Sequence, residues 1–282
     1  MLLVSEHQAS VVVSSLLRLF RRVVPPGRRH ALFLLPALVL LGGCGAGGPT
    51  LTVPVSQWPG YEYFPLAQKR GLDRREGIRL DLPAYANPQD IVHAYLRGDL
   101  KLAQLTTVEL VDLCTRLPRR CPVVVLAVDE SRGADQLLLA EDLPGMQALR
   151  GQTVAVTPSS LGPFLVSRAL ERVGLTLQDV NLRNLPLREM PAGFASGELK
   201  AAAMYPPFSS WALRTGKARI VFDSRSLPGQ ILDVLVVDRA YLDSHRDAVA
   251  RLLRAWQAAH RYAVSVCATP WRPTLCPYLI HL

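Results

Sequence analysis

The sequence predicts an α/β fold of two similar lobes meeting at a cleft, and three observations carry that expectation. From residue 51 onward, short apolar strands alternate with helical stretches almost without interruption, the pattern of α/β layers with largely parallel sheets. Residues 123–128 form an unbroken apolar run rich in β-branched side chains, which reads as a strand buried on both faces, and residues 231–237 read as a second buried strand. The third observation is an internal echo. Arg97-Gly98-Asp99-Leu100-Lys101-Leu102-Ala103 and Ser196-Gly197-Glu198-Leu199-Lys200-Ala201-Ala202 share the order helix, glycine stop, acid, leucine, lysine, strand, with glycines 99 positions apart. That period is too long for a solenoid and suits two lobes built on one plan.

The elements follow in order. Residues 51–55 read as a strand and 61–70 as a helix closed by Gly71. Residues 78–82 are a strand, 88–97 a helix ended by Gly98, and 100–105 a strand. The helix over 107–117 opens on Thr106-Thr107-Val108-Glu109, which has capping-box form. The second half repeats the scheme with strands at 153–157, 180–185, 200–204 and 219–222. Helices at 162–173, 190–196 and 207–214 stand between them. Ser244 and Asp247 open a last long helix in which Val249, Leu252, Leu253, Trp256, Ala259 and Ala263 keep the 3.6 period.

A chain of 282 residues with 49% hydrophobic and 20% charged side chains has material for a real core, which excludes disorder and collagen-like structure. The net charge of +9 invites a nucleic-acid reading until its location is considered. Residues 1–43 hold five arginines against Glu6 alone, so only +5 remains beyond them. Arg28-Arg29-His30, the apolar run 31–41 and Gly42-Gly43 read as a secretory leader. The run is too short for the ~20 residues of a membrane-spanning helix. Cys44 directly after it resembles the acylated cysteine of a bacterial lipobox, and residues 44–50 would be a flexible tether. The earlier apolar stretch 11–20, followed by Pro25-Pro26, is either a long n-region or the sign of a start codon placed too far upstream. In an oxidising envelope compartment Cys114 and Cys121 either pair across their short loop or stand as two thiols between a helix and a strand. With no Cys-x-x-Cys and scattered histidines, neither a metal site nor a cofactor is expected.

Five segments then carry a family likeness: Trp58-Pro59-Gly60-Tyr61-Glu62; Leu66-Ala67-Gln68-Lys69-Arg70-Gly71-Leu72; Gly98-Asp99-Leu100 with Leu105-Thr106-Thr107-Val108-Glu109; Asp129-Glu130-Ser131-Arg132-Gly133-Ala134-Asp135; and Gly197-Glu198-Leu199 with Tyr205-Pro206-Pro207-Phe208. Their order and spacing over residues 51 to 262 resemble the sulfonate/nitrate/taurine-type (and thiamine-pyrimidine-precursor-like) substrate-binding proteins of ABC importers. The resemblance implies the type II periplasmic-binding-protein fold, two α/β lobes with a ligand cleft between them. It places the first part of lobe 1 at 51–135, lobe 2 at 136–230, and a return to lobe 1 with the long helix at 231–266.

The same residues have a physical reading. Trp58, Gly60 and Tyr61 follow a strand and open a helix, offering an aromatic wall and free N–H groups to an anion, or else Trp58 simply packs under the lobe. Thr106, Thr107, Ser159, Ser160, Tyr205 and Pro206 occupy corresponding strand ends, where a hydroxyl serves equally as a helix cap. Ser131, Arg132 and Gly133 lie beside the first crossing between lobes, and Arg132 is the natural partner of a sulfonate or carboxylate, or else a solvated arginine. Relatives often carry an acid where Pro206 stands, so a zwitterion such as taurine is disfavoured against a plain anion. Residues 267–282, with three prolines and no helical period, depart from the family and read as a truncated or frame-shifted end, or as a short natural tail.

The function implied is a monomeric, lipid-anchored receptor outside the cytoplasm. It would bind a small, sulfonate- or nitrate-like anion and hand it to a permease and its ATPase, without nucleic acid and without catalysis. Alternatives are an enzyme of the same fold acting on a pyrimidine- or chorismate-derived metabolite, or a lipoprotein that senses a ligand. Neither Gly-x-Ser-x-Gly, His-Glu-x-x-His nor a P-loop occurs to support the enzyme.

Overall fold

A computed structural model describes residues 48–157 and 161–267. The leader, Cys44, Ser159, Ser160 and the tail beyond 267 lie outside the described residues.

The chain enters through Thr50–Thr52 (β1) and passes a 3-10 turn over Pro59–Glu62. The helices Tyr63–Lys69 (α1) and Leu72–Arg75 (α2) follow, then Arg79–Asp81 (β2), which pairs in parallel with β1. The helix expected over 61–70 therefore starts as a tighter turn, with Pro59 at its first position. Next come Pro88–Arg97 (α3), Leu102–Thr106 (β3), Thr107–Arg116 (α4) and Val123–Glu130 (β4). The other sheet begins with Gln136–Ala140 (β5), Thr153–Val156 (β6), Leu161–Glu171 (α5) and Asn181–Asn184 (β7). It continues through Met190–Ser196 (α6), Ala201–Met204 (β8), Phe208–Leu213 (α7) and Ala218–Asp223 (β9). Leu232–Val237 (β10), Arg239–Ser244 (α8) and Arg246–Cys267 (α9) complete the described chain.

Two sheets organise the lobes. One has the order β3-β10-β4 and the other β7-β6-β8-β5-β9. Neither is largely parallel: the first is antiparallel throughout and the second is mixed. β10 runs antiparallel to both neighbours, as β5 does to β8 and β9, while β6 is parallel to β7 and β8. The reason is topological: β5 and β10 each arrive directly from the other sheet, without the crossover helix that makes successive strands parallel. β5 was not anticipated, because a short run such as Leu137-Leu138-Leu139 has no period that separates strand from helix. All three leucines are fully buried.

β4 corrects a second expectation. It lies at a sheet edge and Val124 is 45% exposed, so its apolar run is not buried on both faces. The central strand is β10, with five of its six residues buried. The echo is structural: Gly98 and Gly197 both end their helices in the left-handed region, at φ 88° and 83°, where a β-carbon would be strained. The strands that follow them, β3 and β8, each lie beside the strand that crosses from the other lobe.

The long helix α9 lays Val249, Leu252, Trp256, Ala259 and Ala263 against the first lobe, with Trp256 meeting Tyr63 edge-on at 5.2 Å. Cys114 and Cys121 are joined as a disulfide between the end of α4 and the start of β4. No helix among the described residues is long and apolar enough to cross a membrane.

Candidate functional site

A cavity opens where the carboxyl ends of β3 and β8 face each other. It encloses about 570 Å³ of non-atom space, a figure that includes its open mouth. The first lobe contributes Ser56, Trp58, Tyr61, Thr106, Glu109 and Asp233, and the second contributes Thr157, Leu161, Leu165, Met204 and Tyr205. Asp135, on the crossing between them, also lines it. The lobes touch here, because the Trp58 and Tyr205 rings pack edge to face at 5.3 Å, and Tyr205 leans in turn on Phe208.

Trp58, Tyr61, Thr106 and Tyr205 are thus brought together. The indole Nε1 of Trp58 donates to Asp129 Oδ2 at 3.0 Å, which fixes the ring. Gly60 does not line the cavity. Its bare α-carbon is what admits the Asp129 carboxylate, since a β-carbon there would come within 1.8 Å of Oδ2. Thr106 is both a lining residue and a cap. Its Oγ1 accepts from the Glu109 N–H at 3.2 Å, and Glu109 Oε2 accepts from the Thr106 N–H at 2.9 Å and from its hydroxyl at 3.2 Å. The capping box read from the sequence therefore occupies two of the donors that an anion would use, the N–H groups of Thr106 and Glu109.

The remaining candidates lie elsewhere. Thr107 Oγ1 donates to Gln230 O and accepts from Leu232 N–H, tying the start of α4 to the chain that enters β10. Ser131 is buried with its hydroxyl 2.8 Å from that of Ser224, whose oxygen also accepts from the Gly133 N–H at 2.7 Å. The Ser224 N–H donates to Asp135 O, and the Ser131 N–H to Ile231 O. The triplet 131–133 thus staples the two crossings together instead of lining the cavity, and Arg132 is 72% exposed and paired with Glu130 at 2.8 Å. Pro206 stands just outside the lining, and Ser159 and Ser160 fall outside the described residues.

What sequence reasoning missed is the acidity of the site. Glu109, Asp135 and Asp233 have only 3–4% of their surface exposed, and the described lining contains no lysine, arginine or histidine. Tyr61 Oη donates to Asp233 Oδ1 at 2.5 Å, and Asp233 stands opposite Asp129 in the β10–β4 ladder. Burial raises the carboxyl of Glu109, and raises Asp233 strongly with the Asp129 charge adding to the effect. Asp135 is pushed up to about 7, first by burial and then by the charges of Asp129 and Glu109, against a lowering hydrogen bond from Ser131. Burial also raises Tyr61 and Tyr205, so both stay protonated donors. One signal was legible: Asp233 interrupts an otherwise apolar strand, and a charged residue in a buried strand marks a site. Among the described residues no three acids, histidines or cysteines converge closely enough to hold a metal ion.

The periplasmic aliphatic sulphonate binding protein of Escherichia coli superposes with a TM-score of 0.64 at 22% identity, covering 77% of this chain and 75% of that one. The alkanesulfonate-binding protein of Xanthomonas axonopodis pv. citri, bound to MOPS, gives 0.65 at 19% identity, covering 78% and 75%. The fold is that of periplasmic substrate-binding proteins. In sequence, a Brucella abortus (strain 2308) chain described as a binding protein is 23% identical over 177 residues, which are 63% of this chain and 53% of that one. The chain spans about half the length of the curated relatives it matches. The sequence profile of one family covers residues 47–269, the whole of the described structure, and the chain belongs to that family, the NMT1-like family.

Proposed function

We propose that this chain is the solute-binding receptor of an ABC importer, holding one small ligand between its lobes and presenting it to a permease and its ATPase. The observation that supports it most is the composition of the cavity wall: both lobes and the crossing between them contribute residues, so a ligand there would bridge the lobes. The pair of crossings, stapled through Ser131, Ser224 and Gly133, is suited to a hinge. The periplasmic location of the sulphonate-binding relative, and the leader expected over 1–43 with Cys44 directly after it, support a receptor anchored by lipid outside the cytoplasm, working as a monomer. The role is non-catalytic.

The reading is tested by small-angle scattering and thermal unfolding of the purified protein across a library of small organic acids, sulfonates, amines and neutral heterocycles. A binder should raise the unfolding midpoint and leave the protein compact with closed lobes. The absence of any ligand-dependent change across the library, or mass-spectrometric detection of turnover of a bound compound, would overturn it.

A further inference from the structure

The charge of the cavity departs from what a sulfonate or nitrate requires. We propose that the cleft takes an organic cation, an ammonium or amidinium group on an apolar body, with the charged end on Glu109, Asp135 and Asp233 and the body against the Trp58–Tyr205 ring pair and the apolar wall. The proposal rests on the receptor reading above and specifies its ligand class.

Four observations carry it. The lining holds three buried carboxyl side chains and, among its described residues, no cation to balance an anionic ligand. An anion placed among buried acids would be repelled unless they took up protons, whereas an N–H-rich cation meets acceptors and strengthens each bond through its charge. Two of the N-terminal donors of α4, the Thr106 and Glu109 N–H groups, are taken within their own box, where the Glu109 carboxyl also stands, and Arg132 is turned out to Glu130. Ser56 is buried on the lining, and its Oγ has no hydrogen-bond partner, so the wall keeps a further polar group for a ligand.

The cation is organic rather than a metal ion. No three of the described acids converge tightly enough for metal coordination, while the rest of the wall, with Leu161, Leu165, Leu187 and Met204, is apolar. Trp58 and Tyr205 present aromatic rings to the same space, and such rings attract cations as well as apolar surface.

A pH dependence follows from the groups that face Asp135. These are Glu109 from α4, Asp129 from β4 and Tyr205 after β8, with Asp233 from β10 joining the cluster. None contributes a positive charge. A cation requires the acids ionised, so its affinity should rise between pH 6 and pH 8; an anion's affinity should fall over the same interval.

The experiment is calorimetric titration of the full chain with benzamidine and phenethylamine as cationic probes, and with propanesulfonate, benzoate and nitrate as anionic probes, at pH 6 and pH 8. Expected is binding of the cationic probes, about tenfold tighter at pH 8. Asp135→Asn and, separately, Glu109→Gln, which keeps a side chain able to cap, should each weaken it by about tenfold or more at pH 8 with circular dichroism unchanged. Cationic binding that neither variant weakens would overturn the proposal. Binding of an anionic probe that tightens in Asp135→Asn would overturn it too and leave the receptor reading standing, as would a library in which only neutral compounds bind. Failure of every probe and of the whole library would remove both.

Discussion

Gly60→Ala isolates the role of a residue that the sequence marks for a ligand and the structure assigns to packing. A β-carbon at this position would stand 1.8 Å from Asp129 Oδ2, 2.8 Å from Trp58 Nε1 and 3.0 Å from Asp129 Cγ. The backbone is not at fault, since Gly60 does not have a positive φ; the collision is with side chains alone. Asp129 must swing away and surrender its bond to the indole. A bond to a charged group lost in a buried place, together with local overpacking, costs about 2–4 kcal/mol. In a domain of this size each kcal/mol moves the midpoint by about 2–4 °C, so the variant should melt about 4–16 °C below the parent. Calorimetry measures the shift. Adding Asp129→Ser clears the space, so the double variant should lose less than the sum of the two singles, a coupling that distant sites do not show. A midpoint within 1 °C of the parent, or strict additivity, would refute the account of Gly60 as the seat of the Asp129 carboxylate.

The other predictions concern the acids, the disulfide and the crossings. Burial holds Asp135 at about 7, above the ordinary aspartate value, so its contribution to stability is complete at low pH and is lost as pH rises from about 4 through 7. Asp135→Asn should therefore raise the unfolding midpoint more at pH 8 than at pH 5, and an equal shift at both would refute it. Replacing Cys114 and Cys121 together by alanine should lower stability by about 2 kcal/mol in guanidinium titrations, because the bridge closes a short loop of sequence separation 7; no change would deny the bond a stabilising role. Ser224→Ala leaves the Gly133 N–H and the Ser131 hydroxyl without their shared partner and should cost about 1–3 kcal/mol by the same titration. It should also broaden the distribution of lobe separations in scattering, which a merely local defect would leave narrow.

Much of this molecule is legible without coordinates wherever the signal is local. Thr106 and Glu109 form the reciprocal cap that their spacing announces, and Gly98 and Gly197 stop their helices in the left-handed region as the echo requires. Local chemistry suffices there because every partner lies within a turn or two of chain. β5 and β4 escaped it for the opposite reason. Whether a leucine run is a strand, and whether a valine run lies at an edge, is settled by which strands come to lie beside it, and those are distant in sequence.

The site divides along the same line. Sequence alone placed Trp58, Tyr61, Thr106 and Tyr205 at strand-to-helix junctions of the two lobes, with packing or capping left open as their roles; the structure lines one cavity with all four. Sequence could not determine that Ser131 and Gly133 would be spent on Ser224, or that Arg132 would turn to Glu130. Only the tertiary structure decided the charge of the cavity. Glu109 reads as a cap, Asp135 as the end of a loop and Asp233 as an interruption in a strand, and each alone has an ordinary explanation. Packing two lobes around one space removes water from all three acids at once, and that shared desolvation, a property of no single segment, turns scattered carboxylates into the chemistry of the site.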